Sequence, residues 1–189
     1  MQKLVVASNN KNKIREIKTL LGDKFEVLSM SEMNIELEIE ETGITFEENA
    51  IIKAKAIYDL CSLPIVADDS GLMVDALDGE PGVYSARYAG DPCNDENNNA
   101  KLLKNLDGVS DRNARFVSVV AFYDGTRTVT ASGTVEGTIL YEGRGTNGFG
   151  YDPLFLATEL NKTFGEATDE EKNKISHRAR ALASLVEKL

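Results

Sequence analysis

Ile65-Val66-Ala67-Asp68-Asp69-Ser70-Gly71-Leu72-Met73-Val74 sets two carboxylates and a serine between two short apolar runs. Pro64 opens the stretch, and Ile65 to Ala67 reads as a buried strand, a short apolar run behind a chain breaker. Gly71 permits a turn or bulge just after the acidic pair, and Leu72 to Val74 resumes an extended course. A strand that ends in Asp-Asp holds its carboxylates rigidly and close together. Such a pair can bind a hard divalent cation, activate a water, or do both. Alone it reads first as a solvated strand end, so its chemistry depends on what the rest of the chain brings.

The chain has 189 residues, enough for one domain with a real core or two small lobes. No apolar run approaches the ~20 residues of a membrane span. Met1-Gln2-Lys3 leads into an apolar run too short for a signal-peptide core, so a cytoplasmic protein without membrane association is expected. Cys61 and Cys93 lack metal-ligand spacing and His177 is the single histidine, which disfavours structural zinc and a disulfide framework. A net charge of -10 argues against a nucleic-acid polymer as partner, which needs a basic face. A small nucleotide needs only a local basic pocket and a cation.

Leu4 to Ala7 is a short buried-type strand, followed by Ser8-Asn9-Asn10-Lys11-Asn12-Lys13 and then Ile14, Ile17, Leu20 and Leu21 at helical spacing. Asn10 or Asn12 can cap this helix, whose first turn offers backbone N–H groups and a positive dipole end. Lys11 and Lys13 are ill placed there unless an anion occupies the site, and the alternative is a surface turn with solvated lysines. Phe25 to Leu28 is a second strand. Glu36 to Glu41 alternates acidic with apolar residues, as a half-buried strand or extended edge does, and Glu40 and Glu41 lie where the pattern breaks. Thr45-Phe46-Glu47-Glu48 has capping-box spacing, and the helix after it runs to about Leu60 with Asn49 and Lys53 on one face.

Leu77 to Tyr88 predicts an irregular loop, and Asp95 to Leu106 a polar helix. Ala114 to Tyr123 and Arg127 to Val135 flank the hairpin signal Asp124-Gly125. Gly143-Arg144-Gly145-Thr146-Asn147-Gly148 matches a dinucleotide-binding string, yet Gly150 and Pro153 oppose the helix that such a site requires. The better reading is a loop that brings Phe149 near a planar ligand, with core packing of Phe149 as the alternative. Thr168 to Glu171 is a second capping box, and Ile175, Ala179, Leu182, Leu185 and Leu189 follow helical spacing. Lys172, His177 and Arg178 gather only if this helix breaks near Ser176, a good N-cap.

In this order, these blocks resemble the inosine triphosphate pyrophosphatase (Ham1-like) family. The matching pieces are the Ser8–Lys13 turn, Glu40-Glu41-Thr42-Gly43 with Thr45 to Ala50, and Ala67 to Leu72. They continue with Pro81 to Arg87, Gly148-Phe149-Gly150-Tyr151-Asp152-Pro153 and Ser176-His177-Arg178, so they span nearly the whole chain. The resemblance implies a single domain over 1–189. It implies an elongated α/β fold with a long mixed β-sheet flanked by helices, two lobes and the active site in a central cleft.

It further implies Mg²⁺-dependent hydrolysis of inosine, deoxyinosine and xanthosine triphosphates to monophosphate and pyrophosphate, by a homodimer. In that reading Asp69 is the general base and a metal ligand, with Glu40 as second ligand and Glu41 as its alternate. Lys13 and Lys53 neutralise the triphosphate. Ser8, Asn9, Asn10, Lys11 and Asn12 cradle its oxygens and Ser70 adds a hydrogen bond. Phe149 stacks on the base, and Gly150, Tyr151, Asp152, Lys172, His177 and Arg178 surround it. Donors from Arg178 or His177 aimed at O6 would reject adenine, whose amine leaves them unpaired. Related Maf-like pyrophosphatases and a non-catalytic nucleotide sensor are the competing readings.

Overall fold

Leu4 to Ala7 and Ile65 to Ala67 are all at most 1% exposed, so these apolar runs become strands enclosed on both faces. The computed structural model describes residues 1–189. Its strands are β1 (Gln2–Val6), β2 (Phe25–Ser29), β3 (Ile65–Val74), β4 (Asn113–Tyr123), β5 (Thr128–Ile139), β6 (Phe155–Ala157) and β7 (Lys162–Thr163). The helices are α1 (Lys11–Leu21), α2 (Phe46–Cys61), α3 (Asp95–Asn105), α4 (Asp169–Ile175) and α5 (His177–Lys188). The strands form one mixed sheet in the order β2-β1-β3-β4-β5-β6-β7. β1 pairs parallel with both β2 and β3, while β5–β6 and β6–β7 are antiparallel. This is an α/β fold. No helix is long and apolar enough to cross a membrane.

The chain divides into two compact units, with β3, β4 and β5 contributing to both. The first holds 1–69, 118–133 and 178–189. Alternation along its strands sends side chains to two separate cores. Leu4, Val6 and Val66 pack with Ile17 and Leu21 of α1 and Ala181, Leu182 and Leu185 of α5. Val5, Ala7, Ile65 and Ala67 pack with Ala50, Ala54 and Ile57 of α2. Asn10 caps α1, its side chain accepting from the N–H of Asn12 and Lys13. Thr45 and Glu48 close a full capping box on α2.

The second unit holds 70–117 and 134–177. Its core joins Leu72 and Val74 with Leu102 and Leu106 of α3 and with Phe116, Phe155 and Phe164. The three phenylalanine rings lie 4.6 to 6.0 Å apart, a cluster that contributes beyond its buried area. α4 also carries a full capping box and ends at Ser176, whose extended backbone separates it from α5.

Two local expectations change, and two short strands were not anticipated. β3 is continuous from Ile65 to Val74, with no turn at Gly71. Glu36 to Glu41 forms no strand. Its surroundings offer side-chain partners in place of a ladder: Leu37 O accepts from Asn9 Nδ2, and Gly43 N–H donates to Asn49. Lys162-Thr163 and Phe155–Ala157 are strands of two and three residues, too short to leave a periodic signal.

Candidate active site

β3 presents Asp68 and Asp69 to opposite faces of the sheet, because side chains alternate along a strand. The two aspartates therefore do not act as a pair. Asp68 continues the side of Val66 and meets charges from α1 and α5. Lys13 Nζ lies 2.8 Å from its Oδ2, and Arg178 reaches both oxygens at 3.3 Å. Ser118 donates a hydrogen bond to Oδ1. Arg178 also pairs with Glu16, which α1 turns inward one helical turn after Lys13. Burial alone would raise the Asp68 carboxyl, but the charges of Arg178 and Lys13 outweigh it and hold the group well below the usual carboxylate range.

Asp69 continues the side of Ala67 and faces α2. Asn49 Nδ2 donates to its Oδ2 at 3.2 Å, and Lys53 Nζ lies 3.4 Å from its Oδ1. Lys53 also pairs with Glu41 Oε1 at 2.7 Å. One ammonium thus sits against two carboxylates that reach it from separate segments. Burial raises the Asp69 carboxyl from its ordinary value, and the nearby Lys53 and Lys13 charges offset this only in part. For Lys53 the balance is reversed. Burial favours its neutral form, yet Asp69 and Glu41 hold its ammonium above the ordinary lysine value.

The turn expected to meet phosphate is closed by its own side chains. Ser8 Oγ accepts the Asn10 N–H, and Asn10 Oδ1 accepts the N–H of Asn12 and Lys13. Two of the backbone donors read as a phosphate cradle are therefore taken by the cap. Asn9 and Lys11 are exposed, Asn12 and Lys13 half-buried, and Lys13 is paired with Asp68. Glu41 is half-buried against Lys53, whereas Glu40 is exposed. The structure thus brings the alternate acid, not the first choice, to Lys53. Ser70 follows in β3, half-buried.

The Phe149 segment belongs to the second unit. Lys172 Nζ pairs with Asp152 Oδ2 at 2.7 Å, lies 4.8 Å from the Phe149 ring centre, and stacks over Phe164 at 5.5 Å. Asp152 Oδ2 also accepts the Phe149 N–H at 2.9 Å. A side chain at Gly148, whose φ is +72°, would collide with that carboxylate, so only glycine fits there. The Gly150 peptide is held at both ends by α3: Asp95 accepts its N–H at 2.8 Å and Asn99 donates to its carbonyl at 3.2 Å. The Phe149 ring remains half-buried.

The other residues expected around the base are buried and engaged. Tyr151 is buried, its hydroxyl donates to Ser85 O, and burial pushes its pKa above the ordinary phenol value. His177 stacks on Phe116 with ring centres 4.9 Å apart. Arg178 is 1% exposed and its guanidinium is engaged by Asp68 and Glu16. It braces Asp68, the contact in which the structure places the residue expected to donate to a purine O6. Sequence reasoning missed Glu16, Ser118, Asp95 and Asn99 altogether. Glu16 did leave a signal, a charge one residue from Ile17 on the inward stripe of α1.

Residues 4–188 match the sequence profile described as the Ham1 family. A dITP/XTP pyrophosphatase of Staphylococcus epidermidis is 50% identical over 190 residues, covering 100% of this chain and 97% of that protein. The Ham1 protein of Staphylococcus aureus has a solved structure that superposes with a TM-score of 0.89 at 45% identity, covering 99% of this chain and 97% of that one. A HAM1 protein from Coxiella burnetii superposes at 0.90 with 42% identity, covering 100% and 98%.

Proposed function

This chain belongs to the Ham1 family, and from that membership and the Glu41–Lys53–Asp69 cluster we propose that it hydrolyses deaminated purine nucleoside triphosphates to monophosphate and pyrophosphate. The substrate class is dITP and XTP, the substrates in the name of the relative at 50% identity, and by the same chemistry ITP. The observation that carries the reading is Asp69: a buried carboxylate with its pKa raised, held by one neutral donor and one lysine. A carboxylate made more basic by burial suits proton abstraction from water.

In the proposed step Asp69 takes a proton from water as its oxygen attacks the α-phosphorus. The bond from α-phosphorus to the bridging oxygen breaks, and pyrophosphate leaves with the electron pair. Lys53 and Lys13 supply positive charge for the triphosphate, and Ser8 to Asn12 and Ser70 orient its oxygens, so that positioning and charge carry most of the acceleration. Phe149 stacks on the base, with Lys172 and Asp152 fixing its segment.

Glu41 and Asp69 together fit a hard divalent cation. Both carboxylates are drawn to the Lys53 ammonium and supply the oxygen ligands a hard cation takes, and magnesium is usually held by one or two carboxylates plus substrate phosphates. When bound, Mg²⁺ would neutralise phosphate charge. A homodimer acting on the cytoplasmic nucleotide pool is the companion proposal, supported by the family resemblance.

The test is pyrophosphate release from dITP, XTP, ITP, ATP and GTP side by side, with and without Mg²⁺. Strong Mg²⁺-dependent release from the first three and little from the others is expected. Release of single phosphate would move the cleaved bond and overturn the mechanism.

A further inference from the structure

Asn49 is a fully buried amide on α2, whose other buried residues are the apolar Ala50, Ala54 and Ile57 and the charged Lys53. Burying an amide there is unfavourable unless both of its ends find partners. Both do. Oδ1 accepts the Gly43 N–H at 2.8 Å, and Nδ2 donates to Asp69 Oδ2 at 3.2 Å. The Gly43 donor fixes which end of the amide faces which way, since an N–H needs an acceptor opposite it.

Two consequences meet at this side chain. Asp69 presents two distinguishable oxygens, one bound by a neutral donor and the other facing Lys53 at 3.4 Å. Its carboxylate is thereby fixed in rotation without a further charge. Gly43 lies two residues after Glu41, so the same amide also sets where the Glu41 segment lies relative to Asp69. Gly43 gives independent support. A Cβ there would come within 2.6 Å of Asn49 Oδ1 and 2.7 Å of Glu48 Cβ, so the backbone approaches α2 this closely only as glycine. The closure continues through Glu48, whose carboxylate accepts the N–H groups of Ile44 and Thr45. Three consecutive backbone donors are thus taken by two side chains of α2.

We infer that Asn49 is a positioning residue for hydrolysis, orienting Asp69 and holding the Glu41 segment at its working distance from it. The inference rests on the pyrophosphatase reading above. It predicts that loss of the amide changes turnover and leaves nucleotide affinity largely intact, because Asn49 touches the base and the acid segment, not the phosphate turn.

The experiment compares the parent with Asn49→Ala, Asn49→Asp and Gly43→Ala. The readouts are kcat and KM for dITP at saturating Mg²⁺, and calorimetric titration with a non-hydrolysable α,β-methylene dITP. The titration gives both affinity and the fraction of folded sites. Asn49→Ala is expected to lower kcat per site by about 10- to 100-fold, the scale of an ångström-sized misplacement, with KM and analogue affinity within about 3-fold. Asn49→Asp keeps the size and the acceptor for Gly43 but turns a second carboxylate oxygen toward Asp69, so kcat falls at least as far. Gly43→Ala pushes on the amide and lowers kcat by about 10-fold.

The inference is overturned if kcat per binding site in both Asn49 variants stays within about 2-fold of the parent. It is equally overturned if activity and binding fall together in proportion to folded sites, which marks an architectural role. Should Asn49→Ala fail to fold, Asn49→Asp decides, being matched in size. Failure of every variant to fold assigns Asn49 to the architecture and ends the proposal. A parent that binds the analogue but releases no pyrophosphate removes the reading on which the inference stands, whereas an active parent with unaffected variants removes the inference alone.

Discussion

Asp68 and Asp69 are adjacent residues of one type on one strand, each at most 4% exposed, yet their surroundings push them in opposite directions. Asp68 meets two full positive charges and a hydroxyl, and its carboxyl is held well below the ordinary range. Asp69 meets one neutral amide and one lysine shared with Glu41, and burial raises its carboxyl. Burial alone thus does not decide what a buried carboxylate does. The number and distance of its counter-charges do. A fully matched carboxylate is architecture, and an under-matched one keeps an appetite for a proton that chemistry can use.

The largest effect expected from this contrast is at Asp69. Asp69→Asn removes the proton acceptor while keeping its shape, so turnover of dITP should fall by roughly 10³-fold or more with analogue binding preserved. Near-normal turnover would erase the distinction between the two aspartates. Asp68→Asn should act the other way, on stability first. It leaves the buried Arg178 guanidinium short of a counter-charge, a loss of about 3–5 kcal/mol read by chemical denaturation. A denaturation midpoint equal to the parent's would mean that Glu16 alone satisfies Arg178.

The smallest effect belongs to an exposed carboxylate, Glu32, which shows what counter-charges do at the surface. Lys18 and Ser29 lower its pKa to about 2. A depressed folded-state pKa gives stability that is present above the unfolded value, about 4.5, and is lost as pH falls toward about 2. Because Glu32 is 48% exposed, solvent screening limits the contribution to less than about 1 kcal/mol. Glu32→Gln should therefore lower the midpoint slightly at pH 7, and the deficit should shrink below pH ~4. A deficit that grows on acidification would contradict the sign.

Much of the fold was legible in the sequence because its signals are local. Asn10 as a cap, the two capping boxes, the hairpin at Asp124-Gly125 and the break at Ser176 each depend on a few neighbouring residues. The alternation in Glu36 to Glu41 misled for the same reason. Periodicity reports which side chains prefer burial, but a strand also needs a partner backbone, and here Leu37 O meets the Asn9 side chain instead. The site was legible as a set of residues and less so as an arrangement. Lys53, Asp69 and Glu41 were in view, but the choice between Glu40 and Glu41 needed the turn of the chain toward Lys53. Arg178 was read beside its neighbour His177, while its partners Asp68 and Glu16 lie 110 and 162 residues away in sequence.

The sequence by itself placed two consecutive aspartates at the end of a buried apolar run and read them as a pair; that β3 runs on through them, and so sends them to opposite faces, was decided by the tertiary structure. The sequence also marked the starts of α1, α2 and α4, because caps act within one turn, and left the break at Ser176 as one of two alternatives. Only the tertiary structure decided that α1 and α5 bring Lys13, Glu16 and Arg178 to one face while α2 brings Asn49 and Lys53 to the other. Desolvation and charge pairing depend on groups from segments far apart in the chain, and those same groups shift two neighbouring carboxylates in opposite directions.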